Sequence, residues 1–187
     1  MTAVHDPGWS PSIRALPRLL LPVLGAHKAL RDTNGLVVLR SLWLLFLSSV
    51  LLIGAVVLAM STLDLGTGPD GRAVAVGVAA IGVIAQLVAP VLVPGIRGDT
   101  AGEAVASVQR SVLARVAFAE VAPLAGFVGF MISVNPAVFL VGAAIGVAGL
   151  LDAMPSGERV VAWQQELRDS GSSVELLPAL VSTGISR

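Results

Sequence analysis

Four long apolar stretches constrain this chain more than any other feature of its sequence. They cover residues 42–60, 73–93, 116–134 and 137–154. A membrane-spanning helix needs about 20 mainly apolar residues, because each residue rises about 1.5 Å and the hydrocarbon core is about 30 Å thick. A buried helix of a soluble bundle would explain any one stretch alone. Since only 13% of the 187 residues are charged, too little polar surface remains to cover all four, and the sequence predicts an all-α, four-span transmembrane helix bundle.

The spans divide the chain into a cytoplasmic or interfacial amphipathic segment (1–35), a transmembrane domain (36–154) and a cytoplasmic amphipathic tail (155–187). In the first segment, apolar residues recur at helical spacing between basic residues, and Pro17 and Pro22 interrupt them. Two interpretations of this helix are open. Either it lies in the headgroup region with its basic side chains on anionic lipid, or it packs against its own bundle.

Capping signals predict further helices at the cytoplasmic side. Thr100 and Glu103 form a capping box, which predicts one unbroken helix over 101–134 whose first turns protrude from the membrane. A helix that begins near Ser156 and a second capping box at 172–175 predict two surface-lying helices in the tail. The first of them has an apolar face made of Val160, Trp163 and Leu167. This face serves either packing or a partner.

The basic residues predict the orientation. All lysines and arginines except Arg72 lie before the first span, in the second loop or in the tail. Four spans bring these three regions to one side, and basic residues near spans stay in the cytoplasm. We therefore expect a multi-pass protein of the plasma membrane with both termini in the cytoplasm and Trp43 at the cytoplasmic interface. The N-terminal segment does not have the pattern of a cleavable signal peptide.

Small residues and one amide indicate how the spans pack. Helices in a bilayer approach closely where their residues are small, because lipid gives no hydrophobic drive for association. The fourth span has a continuous small stripe that contains Gly142, Gly146 and Gly149. Gln86 lies on the small-residue face of the second span, where we expect it to hydrogen-bond across helices. These faces serve either packing within the chain or an interface between copies.

Glu120 is the candidate functional residue. If Arg115 marks the membrane interface, Glu120 lies about 7–8 Å inside the third span. Charged residues at depth usually face a bundle or water, and they mark proton or cation sites. Asp152 ends the fourth span on the same side, so we expect that the two carboxylates can approach each other. The competing interpretation keeps Glu120 near the headgroups, paired with Arg97 or Arg115.

Several other classes of function are excluded or not indicated. The chain has no cysteine, which excludes a disulfide scaffold, thiolate zinc ligands and cysteine catalysis. Its net charge of zero argues against nucleic-acid binding. His5 and His27 are far apart, and no serine lies in a GxSxG elbow. We therefore expect no catalytic residue, no metal site, no cofactor and no enzyme activity.

The alanine- and glycine-rich spans carry two resemblances. Residues 79–83 (AAIGV) recur as residues 143–147, and four such spans with one membrane carboxylate are similar to the duplicated proteolipid of rotary ATPases. That family has its carboxylate near mid-bilayer on the second helix of a hairpin, whereas Glu120 is shallow and on the first. Residues 115–155 are more similar to small bacterial, actinobacterial, four-helix integral membrane proteins. This second resemblance implies the fold and names no activity.

Two functions from different classes follow. The first is an accessory or structural membrane component that associates with itself or with a larger membrane complex through small-residue helix faces. The second is a small carrier or channel in which Glu120, alone or with Asp152, handles a proton or cation. The expected partners are the lipid bilayer and anionic lipid at the N-terminal basic helix.

Overall fold

The computed structural model describes residues 6–20, 34–63 and 68–182. Every secondary-structure element in these ranges is an α-helix, which confirms the all-α prediction. The helices are α1 (Ser10–Leu20), α2 (Gly35–Ser61), α3 (Gly71–Leu92), α4 (Ala101–Ser133), α5 (Pro136–Asp152), α6 (Gly157–Asp169) and α7 (Leu176–Ser182). α1 continues through Pro17, whereas Pro22, both histidines and most of the predicted basic segment lie outside the described residues.

Three of these helices, α2, α3 and α4, are long and apolar enough to cross a membrane. α5 has 17 residues and reaches the required length only when it is combined with α6 as a broken pair. The chain therefore has three candidate spans, or four if the broken pair counts as one. α5 ends at Asp152, whereas the predicted span ends at residue 154. Pro155 follows shortly after the end of the helix, and it has no amide hydrogen with which to continue it.

Side-chain caps determine where two of the helices begin. The Glu103 amide donates to Thr100 Oγ1 at 3.3 Å, and the Thr100 amide donates to Glu103 Oε2 at 3.2 Å, which confirms the capping box and the long α4. Ser156 Oγ accepts a hydrogen bond from the Arg159 amide at 3.2 Å, so α6 begins where the sequence predicts.

The capping box predicted at 172–175 is wrong. Gly171 has a φ of +88°, which ends α6 in a left-handed turn and directs the Ser172 amide to the Leu167 carbonyl at 3.0 Å. α7 starts later, and its cap comes from α6, because the Leu176 amide donates to Gln164 Oε1 at 2.6 Å.

The contacts within the chain divide it into two compact units. The terminal unit comprises Met1–Leu45, Pro94–Leu113 and Met154–Arg187, and the apolar unit comprises Phe46–Val93 and Ala114–Ala153. Of the 12 basic and 12 acidic residues, only six belong to the apolar unit. Charge and hydropathy are therefore segregated between the units.

In the terminal unit, the predicted apolar face of α6 is buried. Val160, Trp163 and Leu167 are the buried residues of this helix. This burial confirms the packing interpretation of the face and leaves none of these three side chains for a partner.

In the apolar unit, α2, α4 and α5 contribute to a buried cluster made of Val57, Phe130 and Phe139. The Asn135-Pro136 dipeptide predicts a sharp break between the third and fourth spans, because proline has no amide hydrogen and restricts the residue before it. α4 and α5 are joined by only two residues, Val134 and Asn135, which confirms this tight hairpin. Asn135 caps α5, because its side chain accepts a hydrogen bond from the Ala137 amide at 3.0 Å.

Candidate functional site

Glu120 lies in α4, within a candidate span, and is only 9% exposed. The Ser49 hydroxyl of α2 lies 3.3 Å from Glu120 Oε1, to which it can donate a hydrogen bond. The same hydroxyl lies closer, at 2.7 Å, to the Phe46 carbonyl of its own helix. Because a serine hydroxyl has one proton, it cannot donate fully to both acceptors. The carboxyl group of Glu120 therefore shares its hydrogen-bond donor with a backbone carbonyl.

The carboxylates of Glu120 and Asp152, which the sequence predicts can approach each other, have different partners in the structure. Asp152 Oδ2 accepts a hydrogen bond from Arg115 Nη1 at 3.4 Å, and both residues of this ion pair are substantially exposed. Within the described part of the chain, Glu120 forms no ion pair with Arg97 or Arg115. Its hydrogen-bond contact there is the one with Ser49.

A backbone carbonyl next to Glu120 is freed by Pro123. Pro123 has no amide hydrogen, so the carbonyl of Ala119, four residues earlier, has no intrahelical donor. This carbonyl lies against Gly146 of α5, where an added Cβ would lie 3.0 Å from its oxygen. The polar backbone group beside the candidate residue is therefore covered by a glycine of the neighbouring helix.

Gln86 packs against Gly149, so both residues take part in helix packing, as the sequence predicts. A Cβ at Gly149 would overlap the Gln86 amide group. The expected cross-helix hydrogen bond is not made by Nε2, which is buried and has no acceptor within the described residues. Close packing on the glycine excludes water from the amide without supplying a partner.

Gly142 and Gly146 also pack within the chain. A Cβ at Gly142 would overlap the Ala122 carbonyl and lie 3.0 Å from the Gly126 Cα, and a Cβ at Gly146 would overlap the Pro123 ring. The glycine stripe of α5 is thus occupied by α3 and α4. The sequence leaves two uses open for this stripe, packing within the chain and an interface between copies. The structure shows packing within the chain.

Arg40 is the polar centre that the sequence analysis misses. It lies inside α2, in the terminal unit, and is 1% exposed. Its guanidinium donates to both carboxylate oxygens of Asp6, at 2.6 and 2.7 Å, to the Gly8 carbonyl at 2.8 Å and to the Pro155 carbonyl at 3.1 Å. These bonds attach the N-terminal segment and the segment after α5 to α2. The helix begins at Gly35, before the predicted span at residue 42, and its Leu36 amide donates to Asn34 Oδ1 at 2.9 Å.

Two tryptophans complete this centre. The Arg40 guanidinium carbon lies 5.0 Å from the ring centroid of Trp9, which is a cation–π distance. Trp9 in turn packs edge-on against Trp43 at 5.6 Å between ring centroids. Trp43 is therefore buried in the terminal unit, and its position at the membrane interface stays a prediction. An arginine between Leu39 and Ser41, inside a mainly apolar run, is the sequence signal that could have indicated a buried partner.

Within the described residues, no group of three or more histidine, aspartate or glutamate side chains could hold a metal ion. No family model, curated protein or solved structure matches this chain.

Proposed function

We propose that this protein is an accessory component of the plasma membrane, in which the apolar unit is embedded in lipid and anchors the terminal unit at the cytoplasmic face. One observation carries the proposal. Among the described residues, 18 of the 21 large hydrophobic side chains that are exposed belong to the apolar unit. Exposed apolar surface of this extent is unfavourable in water and is typical of a lipid-facing surface.

The proposed topology has four spans and cytoplasmic termini. Ten of the 12 lysines and arginines belong to the terminal unit. Basic residues beside spans favour the cytoplasmic side. The fourth span consists of α5 and the first residues after it. The two-residue turn at 134–135 lies on the outer side of the membrane.

Labelling of single cysteines tests this topology, because the chain contains no cysteine of its own. Thr62, Leu87, Ala106 and Gln165 are exposed positions for separate cysteine variants. With a membrane-impermeant maleimide, Thr62→Cys should react in intact spheroplasts, and Ala106→Cys and Gln165→Cys only after lysis. Leu87→Cys, the control within lipid, should stay unlabelled in both. Reaction of Gln165→Cys in intact spheroplasts would overturn the topology.

The association expected of an accessory component has to use a different surface from Gly142, Gly146 and Gly149, because these glycines are filled by the chain itself. Gly77 of α3 is an exposed small residue, and an added Cβ there would meet no atom within 4 Å. Gly77→Leu should therefore weaken crosslinked oligomers or co-purification of membrane proteins, and Gly77→Ala should not. Equal recovery of associated protein with both variants would count against this surface.

A second candidate function, proton or cation handling, is favoured by the shared donor at Glu120. If Glu120 itself carries a proton, it can donate to Ser49 while the Ser49 hydroxyl donates to the Phe46 carbonyl, and every contact is satisfied. Glu120→Gln should then abolish proton-driven flux in proteoliposomes, whereas Asp152→Asn, the exposed carboxyl control, should retain it. Absence of flux in the unaltered protein for protons and common cations would remove this candidate.

A further inference from the structure

The loop between α3 and α4 lines a cleft in the terminal unit. The cleft has a volume of about 590 Å³ and is lined by Arg97, Gly98, Asp99, Glu103, Arg110 and Ser170. This volume exceeds the size of a single phosphate group with a short organic substituent. None of these residues belongs to the Glu120 region or to the Arg40 centre.

The backbone of this loop is held in place by the terminal unit. The Ile96 amide donates to Glu166 Oε1 of α6 at 2.8 Å. The Gly98 carbonyl accepts from Ser172 Oγ at 2.7 Å. A Cβ at Gly98 would overlap the Ala104 amide, so the loop lies directly on the first turn of α4. The backbone of the cleft is therefore fixed before any ligand arrives, which lowers the part of the entropic cost of binding that comes from ordering the loop.

The two arginines of the cleft have donors to spare. The Arg97 amide donates to Ser107 Oγ at 3.0 Å, but its guanidinium makes no hydrogen bond to the described residues. Arg110 uses only Nε, which donates to the Ala106 carbonyl at 3.3 Å. By contrast, the Arg40 guanidinium makes four hydrogen bonds. Two guanidinium groups with free donors on one cleft fit the oxygens of a phosphate.

The same cleft also has two carboxylates, so its charged side chains sum to zero. Glu103 accepts hydrogen bonds from the amides of Asp99 and Thr100, and the Asp99 side chain lines the cleft beside it. Glu103 and Arg110 lie seven positions apart on α4, which separates them by about 10 Å along the helix. The loop runs along α4 so that the Asp99 amide meets Glu103, whereas the Arg97 amide meets Ser107, one turn before Arg110. The cleft thus has an acidic end and a basic end. Such a surface complements a ligand that carries both charges better than it complements a simple anion.

We propose that this cleft binds a zwitterionic group that contains a phosphate and a primary ammonium, as in phosphoethanolamine. The phosphate contacts Arg97 and Arg110, and the ammonium contacts Asp99. The group comes either from a lipid headgroup or from a soluble phosphoethanolamine. The lipid source rests on the proposed membrane embedding, because the loop follows α3 directly, whereas the soluble source does not depend on it.

The test uses the full chain purified in detergent and then placed in nanodiscs. Native mass spectrometry should show retention of phosphatidylethanolamine in preference to phosphatidylglycerol, which has no ammonium, and to phosphatidylcholine, whose ammonium cannot donate hydrogen bonds. In detergent without lipid, titration with soluble phosphoethanolamine should show binding that inorganic phosphate matches only weakly. Binding of the soluble ligand alone identifies the soluble source, and binding of the lipid alone identifies the headgroup source.

Variants locate the site. Arg97→Gln and Arg110→Gln should each lower the affinity by about tenfold, since each removes a charge-assisted contact. Asp99→Asn should abolish the preference for the ethanolamine headgroup over the glycerol headgroup. Arg168→Gln, at an exposed arginine outside the cleft, should change neither quantity, and tryptophan fluorescence should show that each variant is folded. Equal retention of all headgroups together with no binding of soluble phosphoethanolamine would overturn the proposal, as would unchanged affinity in both arginine variants.

Discussion

Leucines in the two parts of α2 have opposite environments. Leu36 and Leu39, in the terminal unit, are 0% and 1% exposed, whereas Leu51 and Leu52, in the apolar unit, are 66% and 68% exposed. The residue type and the helical conformation are the same, so the difference lies in what surrounds the helix. The terminal unit buries its apolar groups against protein, as a domain in water does, whereas the apolar unit leaves them on its surface.

The buried charges of the two units differ in the same way. Arg40 in the terminal unit donates four hydrogen bonds to protein oxygens. Glu120 in the apolar unit has one serine hydroxyl, which a backbone carbonyl also uses. Burial removes the hydration of a charge, and protein partners have to replace it. Arg40 has a full set of such partners, whereas the one donor of Glu120 is shared.

The largest effect is expected for Arg40→Leu. This change removes the Arg40 donors from Asp6, which keeps the Gly8 amide on its Oδ1, and from the carbonyls of Gly8 and Pro155. It should cost about 3 kcal/mol, the low end of the range for loss of one partner of a buried pair, because Asp6 is 33% exposed. Tryptophan fluorescence during urea unfolding in detergent measures it. This signal reports on the terminal unit alone, because the chain has no tyrosine and its three tryptophans all lie in that unit.

Arg14→Leu is the matched control for Arg40→Leu, because Arg14 is an exposed arginine of the terminal unit. It should change the free energy of unfolding by less than about 0.5 kcal/mol. In both variants the protein should stay in the membrane fraction. Release of the protein from the membrane by Arg40→Leu would contradict the comparison, because it would show that membrane embedding of the apolar unit depends on the fold of the terminal unit.

The next effect is expected for a lysine placed on the surface of each unit. Leu87 in the apolar unit is 70% exposed and Val161 in the terminal unit is 71% exposed. Leu87→Lys should destabilise insertion by about 2–3 kcal/mol, because a charge in hydrocarbon is costly, and Val161→Lys should have no measurable cost. Recovery of each variant in carbonate-washed membranes is the measurement. Equal recovery would show that α3 does not face lipid at this position.

A smaller effect is expected at the glycines of the apolar unit. Gly146→Ala should lower the stability by about 1–3 kcal/mol, because the new methyl group overlaps the Pro123 ring. Gly77→Ala meets open space and should leave the stability unchanged or raise it by up to about 1 kcal/mol through helix propensity. Thermal melting followed by circular dichroism measures both. A more stable Gly146→Ala would mean that α4 and α5 do not pack at this glycine.

The smallest effect is expected at the start of α4. Thr100→Val removes the acceptor for the Glu103 amide and should cost about 1 kcal/mol. Tryptophan fluorescence should report the loss, because this cap belongs to the terminal unit. Thr62→Val, an exposed threonine of the apolar unit, should leave that signal unchanged. A similar loss in both variants would mean that the fluorescence does not report on the terminal unit alone.

Local signals predicted the parts of the fold that depend on neighbouring residues. The capping box at Thr100, the start of α6 at Ser156 and the turn at Asn135 each involve residues a few positions apart, and all three are confirmed. The cap at Ser172 was wrong because α7 takes its cap from Gln164 of another helix. The sequence predicted Glu120 and Asp152 as candidate site residues. It did not predict the partners that the structure gives them, because these depend on which helices are adjacent.

The sequence by itself determined that the chain is helical and that its middle segments are apolar enough for lipid, because hydropathy and helix caps are properties of short segments. Only the tertiary structure decided which of the apolar residues are covered by protein, that the glycine stripe is filled by the chain itself, and that Arg40 is a buried centre. The reason is physical: the bond from Arg40 to Pro155 joins residues that are 115 positions apart, and no local pattern can specify a contact at that separation.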